Sequence, residues 1–315
     1  MDCHIWLKLG RDLPEGEADA LRRLFPSVRF STDVAAKDYP SVHVVFTNSR
    51  LADELAVQLS SLKWIHTTYG GGLSFLTPSV VERGIVVTSS RGVQAHPLSE
   101  FTEACLLALT KKLPTLLQLK QQRRWDETIA PDTLTGKVAG LLGLGAVGSA
   151  VAQRLHKQGM IVRAIRRDIH DVPPYVESVA TLDRLPDILR ECDVLIIGLP
   201  AGEAFRNLIG EREFQSMKRT SFLINLVTRE IVNDEALLRA LQNGWIAGAA
   251  CNVFGTNPLP AESGLWDAPN LIISPNIASI DPQRWQKLKS VFTDNLTKYQ
   301  LGKPMTNAVG GSQSS

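Results

Sequence analysis

A chain of 315 residues is long enough for two folded units, and its 44% hydrophobic content supports a full core in each. A formal net charge of +2, with 21% charged residues, excludes the electrostatic footprint of a nucleic-acid binder or a polybasic membrane anchor. The four cysteines, Cys3, Cys105, Cys192 and Cys251, form no C-x-x-C pair, and no histidine or cysteine spacing suits a metal, so none is expected.

The N-terminal stretch MDCHIWLKLGRD has an early acid and too short an apolar run for a signal peptide, and no segment approaches the length of a membrane span. The expectation is a soluble, cytoplasmic protein that acts without membrane or nucleic acid. Residues 4–9 read as a strand and 15–25 as an amphipathic helix closed by Pro26. Strands over 42–46, 63–67 and 85–88, with a helix over 51–59, imply a parallel sheet covered on both faces. Gly70, Gly71 and Gly72 follow the strand at 63–67, and Ser89-Ser90-Arg91-Gly92 follows the one at 85–88. Pro97 and Ser99 open a helical pattern over 98–124 that Pro114 is expected to kink.

After a polar stretch over 125–135 comes a βαβ unit: an apolar strand at 138–142, the turn Gly143-Leu144-Gly145-Ala146-Val147-Gly148, a helix to about Gly159, and a strand at 160–165. A helix over 182–191, strands over 194–198 and 222–225, a helix over 234–243 and strands over 246–250 and 271–274 continue the theme. The last helix spans 282–300, and the terminal GGSQSS is expected to be disordered. The pattern describes an α/β protein of two doubly wound Rossmann-like lobes with a cleft between them, the smaller lobe discontinuous in sequence. Residues 1–96 and 283–305 are assigned to a substrate-binding lobe, 97–282 to a dinucleotide-binding lobe, and 306–315 to a tail.

In that turn G-x-G-x-x-G stands between strand and helix. Gly143 permits the bend, Gly145 lets backbone approach a pyrophosphate, and Gly148 lets helix and strand pack closely. The helix from Ala146 and Val147 points its free N–H groups at the phosphates. An NAD-selective site would end the second strand in an acid; here Arg166-Arg167 stand there and Asp168 comes later. A guanidinium binds a 2′-phosphate in a forked geometry, so NADP(H) is expected over NAD(H).

Several further stretches share one pattern: Leu62-Lys63-Trp64-Ile65 with Gly70–Gly72, Val86-Val87-Thr88 with Ser90-Arg91-Gly92-Val93, Pro97-Leu98-Ser99-Glu100, and Leu134 to Gly148. So do Ile224-Asn225-Leu226, Val253-Phe254, and Ser274-Pro275 with Ile277-Ala278-Ser279. Together they resemble the D-2-hydroxyacid dehydrogenase family, which contains phosphoglycerate dehydrogenase and the glyoxylate/hydroxypyruvate reductases. The resemblance implies two lobes that close over NAD(P)H and a small anionic 2-oxo acid, and a homodimer formed through the nucleotide lobe. It assigns Gly70, Gly71 and Gly72 to the substrate carboxylate, and Leu199, Pro200 and Asn252 to the cofactor site.

The catalytic positions depart from that pattern. Thr228 stands where the family has arginine, with Arg229 one place along. Asn257 replaces the acid before Pro-Leu-Pro, Asn276 the histidine after Ser-Pro, and Asn252 the acid before Val-Phe, while Phe205 replaces a threonine. Reducing a 2-oxo acid needs a cation at the carboxylate, a titratable acid for the forming alkoxide, and a carboxylate to tune that acid. An asparagine supplies hydrogen bonds but no proton near neutral pH. Arg229, His66, His96, Tyr69 and Arg91 are the candidate substitutes, Arg91 for an anionic substrate and Tyr69 for orienting it. Three readings follow: an NADP(H) oxidoreductase with a non-standard site, a catalytically silent nucleotide-binding relative, and a non-redox enzyme on the same scaffold.

Overall fold

Short runs of valine, isoleucine and leucine, buried on both faces, pair their backbones best in a parallel sheet covered by helices. Both sheets of the computed structural model are of that kind. Residues 3–200 and 202–310 are described. They form two compact units, one made of the chain up to Gln94 together with the chain from Asp281, the other running from Ala95 to Ile280.

The first stretch carries β1 (Cys3–Lys8), α1 (Glu17–Leu24), β2 (Val28–Ser31), β3 (Val44–Thr47), α2 (Ala52–Gln58), β4 (Trp64–Thr67), α3 (Pro78–Glu82) and β5 (Val86–Ser89). Its sheet has the order β2-β1-β3-β4-β5. β2 was not expected: four residues directly after a helix and Pro26 carry too little alternation to be read alone, and pairing with β1 defines the strand.

The second unit carries α4 (Ala95–Thr110), α5 (Leu113–Gln121), β6 (Val138–Leu142), α6 (Ala146–Lys157), β7 (Ile161–Ile165), β8 (Ser178–Ala180), α7 (Leu185–Glu191) and β9 (Val194–Ile197). α8 (Glu211–Ser216), β10 (Phe222–Asn225), α9 (Asp234–Gln242), β11 (Gly248–Cys251) and β12 (Leu271–Ile273) complete it. The order β12-β11-β10-β9-β6-β7-β8 reverses direction between β6 and β9, the position where open α/β sheets bind ligands. The helix expected without a break over 98–124 is two helices. Lys112, at φ 58°, ends the first, and Pro114 lies in the first turn of the second, where its missing N–H costs nothing. β8 and α8, too short to show a period, were also not anticipated.

α10 (Arg284–Gln300) returns to the first unit, as expected of a discontinuous lobe. Its Trp285, Leu288, Phe292 and Leu296 are buried with Ile5, Phe46 and Trp64. Phe292 stacks on Phe46 at 4.5 Å and on Trp64 at 5.4 Å between ring centres. Beyond it, residues 306–309, read from sequence as part of a tail, run antiparallel to β5 through a Thr88–Ala308 bridge and a Val309 N–H to Val87 O bond. A polar, glycine-flanked composition hid this pairing, which is made entirely by backbone. The remainder of GGSQSS after Gly310 lies outside the described residues.

Because Phe292 is the aromatic centre that joins the late helix to the early sheet, Phe292→Ala should destabilise the first unit by about 3–5 kcal/mol. Urea unfolding would measure this; a loss below about 1 kcal/mol would show that the helix is dispensable to that core.

Candidate functional site

In the second unit the chain leaves β6 through Gly143, whose φ of 101° suits glycine. A Cβ there would stand 2.8 Å from the Gly198 carbonyl carbon, at the end of neighbouring β9. A Cβ on Gly148, in the first turns of α6, would collide with the Gly143 carbonyl oxygen. Around Gly145, by contrast, nothing lies within 4 Å of a Cβ position. Gly145 is the N-cap of α6, with no side-chain cap and no acid in the first turn. The amides of Ala146, Val147 and Gly148 therefore face an open position with a positive helix end behind them, which suits a phosphate.

At the end of β7 the Arg166 guanidinium folds onto its own loop, donating to the carbonyls of Asp168 and Asp171. Arg167 is exposed. Past β9, Leu199 is buried and Pro200 exposed. Asn252, buried after β11, is a hydrogen-bond hub: its Nδ2 donates to Leu226 O at 3.1 Å and lies 3.4 Å from Asn276 Oδ1. Its Oδ1 accepts from the Ser274 hydroxyl at 2.8 Å and the Ala278 N–H at 3.0 Å. An aspartate could not make the bond to Leu226 O, so the amide satisfies this pocket where a carboxylate would not.

The positions expected to hold chemistry are dispersed by environment. Thr228 is buried and its hydroxyl donates to Leu199 O at 2.6 Å, so it pins the loop after β10 to the loop after β9. Arg229 is exposed. Asn276, in the left-handed region at φ 59°, is exposed, and its Oδ1 lies 3.4 Å from Asn252 Nδ2. Asn257 is exposed on the loop that Asp234 fastens by accepting the Gly255 N–H at 2.8 Å. Burial raises the pKa of that Asp234 carboxyl. His96 is exposed on α4, 3.4 Å from Glu100 and 3.5 Å from an Arg154 nitrogen. Phe205 packs half-buried against the second unit's core. Among the described residues no cluster of acids, histidines and cysteines could hold a metal.

In the first unit the loops after β3, β4 and β5 are tied in sequence. The Tyr69 hydroxyl donates to Asn48 O at 2.8 Å, and the Ser90 N–H is shared between Thr67 O and Tyr69 O, both at 3.0 Å. Gly70 and Gly71 have open space at their Cβ positions, and Arg91 is exposed beside them in the chain order of the loops. Sequence reasoning missed Arg50, whose guanidinium lies 5.1 Å above the Tyr69 ring; no motif marked it.

His66 is fully buried. Thr88 Oγ1 accepts the Trp64 indole N–H at 2.7 Å, which leaves its own hydrogen for His66 Nδ1 at 2.7 Å. His66 Nε2–H is then directed to Ser90 Oγ at 3.2 Å, and Ser90 donates to Thr67 O. Burial pushes the imidazole down to about 3. His66 is therefore a neutral link beneath the Ser90 loop and is not placed to deliver a proton.

A family model described as D-isomer specific 2-hydroxyacid dehydrogenase, NAD binding domain, matches residues 104–278. The chain is 30% identical over 310 residues to a glyoxylate reductase of Thermofilum pendens, covering 96% of this chain and 86% of that one. A crystal structure of a D-isomer specific 2-hydroxyacid dehydrogenase family protein from Aeromonas salmonicida superposes with a TM-score of 0.81 at 26% identity, covering 98% of this chain and 99% of that one. A D-isomer specific 2-hydroxyacid dehydrogenase from Xanthobacter autotrophicus, solved with NADPH and MES, shares the fold with a TM-score of 0.82 at 24% identity, covering 98% of both chains.

Two substitutions separate the roles of the glycines. Gly148→Ala should lower thermal stability, whereas Gly145→Ala should leave the melting temperature unchanged and weaken dinucleotide binding at least tenfold, read by fluorescence titration. Unaltered binding in Gly145→Ala would remove the phosphate role of the open position. For His66 the sign follows from its depressed pKa: the unfolded chain takes up the proton near 6.5 and the folded one does not until about 3. Stability is thus lost as pH falls through that window, about 2 kcal/mol between pH 7 and 5. His66→Gln should abolish that increment in paired urea titrations; an identical pH dependence would place the titrating group elsewhere.

Proposed function

The chain belongs to the D-isomer specific 2-hydroxyacid dehydrogenase family, whose members are NAD(P)-dependent oxidoreductases, and on that premise we propose an NADP(H)-linked enzyme with a non-standard active site acting on a small carboxylate. The observation that carries this reading is the glycine turn, with its tight sides at Gly143 and Gly148 and its open position at Gly145. Gly143, Gly145, Ala146, Val147 and Gly148 would hold the pyrophosphate, with Leu199, Pro200 and Asn252 along the rest of the dinucleotide. When bound, the nicotinamide supplies a hydride. Arg166 and Arg167, at the end of the second strand of the unit, supply positive charge where a 2′-phosphate would lie. The Arg166 guanidinium donates to the carbonyls of Asp168 and Asp171 on the loop after β7, which holds its charge at that strand end.

Gly70, Gly71 and Gly72 would present backbone N–H groups to the substrate carboxylate, with Arg91 as cation and Tyr69 as an orienting group. On the catalytic side, Asn276 offers a neutral amide donor to a carbonyl, held by Asn252. Asn257 adds no charge, and the Thr228 hydroxyl is committed to Leu199 O. Arg229 and His96, both exposed, are the remaining groups that could polarise or protonate. The same all-amide arrangement favours one alternative, a catalytically silent relative that binds the nucleotide and signals through it. The reading includes a homodimer through the second unit, where α5 exposes Leu113, Leu116 and Leu117 and the following stretch exposes Trp125. It also includes a cytoplasmic setting, in keeping with the buried thiols of Cys105, Cys192 and Cys251.

Turnover of glyoxylate, hydroxypyruvate and pyruvate should be absent or very slow, because acid–base assistance alone is commonly worth ~10²–10⁴-fold. Steady-state NADPH oxidation measures this, and a rate on the order of 10 s⁻¹ would point to His96 or Arg229 as a working substitute. NADPH should bind about tenfold to a hundredfold more tightly than NADH, the range of a charge-assisted pair. Arg166→Asp should reverse the order; equal affinities in the unmodified protein would make both arginines surface charges.

A further inference from the structure

We propose that the segment Thr306–Gly310 is a positioning element for the substrate carboxylate, with Asn307 as its principal positioning residue; this rests on the reading of the glycine and Arg91 loops given above. β5 is an edge strand of its sheet, and an edge needs only backbone partners to be covered. Those partners are present: Ser89 N–H donates to Asn307 O at 3.1 Å and Val309 N–H to Val87 O at 2.9 Å. Two side chains of the segment, those of Asn307 and Val309, go elsewhere, to the two candidate anion-binding loops. Asn307 Nδ2 donates to Arg91 O at 3.1 Å, and a Cβ added to Gly72 would collide with Val309 Cγ2. One short segment thus seats both loops.

The segment is itself anchored from behind. Asn295, fully buried on α10, donates to Thr306 O at 2.9 Å and accepts the Thr306 N–H at 2.7 Å. Its place is therefore set by the helix and not by the loops it holds, which makes it a fixed reference for them. Spacing between the Gly70–Gly72 amides and the Arg91 backbone then follows from the fold, and with it the size of carboxylate admitted.

Asn307 has φ 57°, so Asn307→Gly keeps the backbone and deletes only the bond to Arg91 O. Oxalate titrated calorimetrically into the NADPH-loaded protein is the probe. Loss of one neutral hydrogen bond should weaken oxalate binding roughly 2–10-fold, with NADPH affinity and melting temperature unchanged. Gly72→Ala, at a negative φ that alanine tolerates, should weaken oxalate through the collision with Val309, and Gly72→Ala with Val309→Ala should restore it. Unchanged oxalate affinity in Asn307→Gly, or failure of the second substitution to rescue the first, would overturn the positioning role alone. A parallel fall in NADPH affinity and melting temperature would show a merely structural segment. Absence of oxalate binding in the unmodified protein would overturn the carboxylate reading of the loops, a result seen before any variant is made.

Discussion

The second unit depends on how closely the first turn of α6 lies against the end of β6. Only a residue without a side chain allows the Gly148 backbone to rest on the Gly143 carbonyl, and only a second one allows Gly143 to rest on the end of β9. That proximity aims the free amides of the helix at the sheet's reversal point, between β6 and β9. It also explains why α6 carries neither a capping side chain nor an early acid: either would occupy or oppose the position left open at Gly145. The arrangement leaves polar backbone unsatisfied by protein, a state that a bound phosphate relieves.

The amides around β11 and β12 meet a different constraint. A buried carboxylate after β11 would face Leu226 O with no proton to donate, whereas Asn252 pairs with that carbonyl and still accepts from Ser274 and Ala278. Asn276 leans on the same amide. The two asparagines are thus mutually consistent, and a carboxylate in place of the buried Asn252 would leave the Leu226 carbonyl without its donor.

In the first unit, order is imposed on the loops from below and from the side. The relay from Trp64 through Thr88 and His66 to Ser90 gives each donor a single direction, so the imidazole needs no charge and its burial keeps it neutral. The Thr306–Gly310 segment closes the exposed flank of β5. Loops carried by rigid strand ends are suited to holding a ligand group, and the second of these supports comes from residues that no motif marks.

Much of this was legible in the residues. The short apolar runs, the glycine spacing at Gly143, Gly145 and Gly148 and the stretches shared with the family identified the α/β class and the family, because those features are local and each has a steric cause within a few positions. The strand β2 and the pairing of residues 306–309 were not legible, since each is set by a partner distant in sequence, and the break at Lys112 was not, since it is one left-handed residue of a type that carries no turn signal. The same holds for His66. From sequence it was a candidate proton donor; in the fold, Phe46, Trp64 and Phe292 surround it and two hydroxyls fix its tautomer. Sequence determined which groups this protein possesses, while the tertiary structure decided which are kept dry, because burial is a property of packing that no spacing of residues encodes.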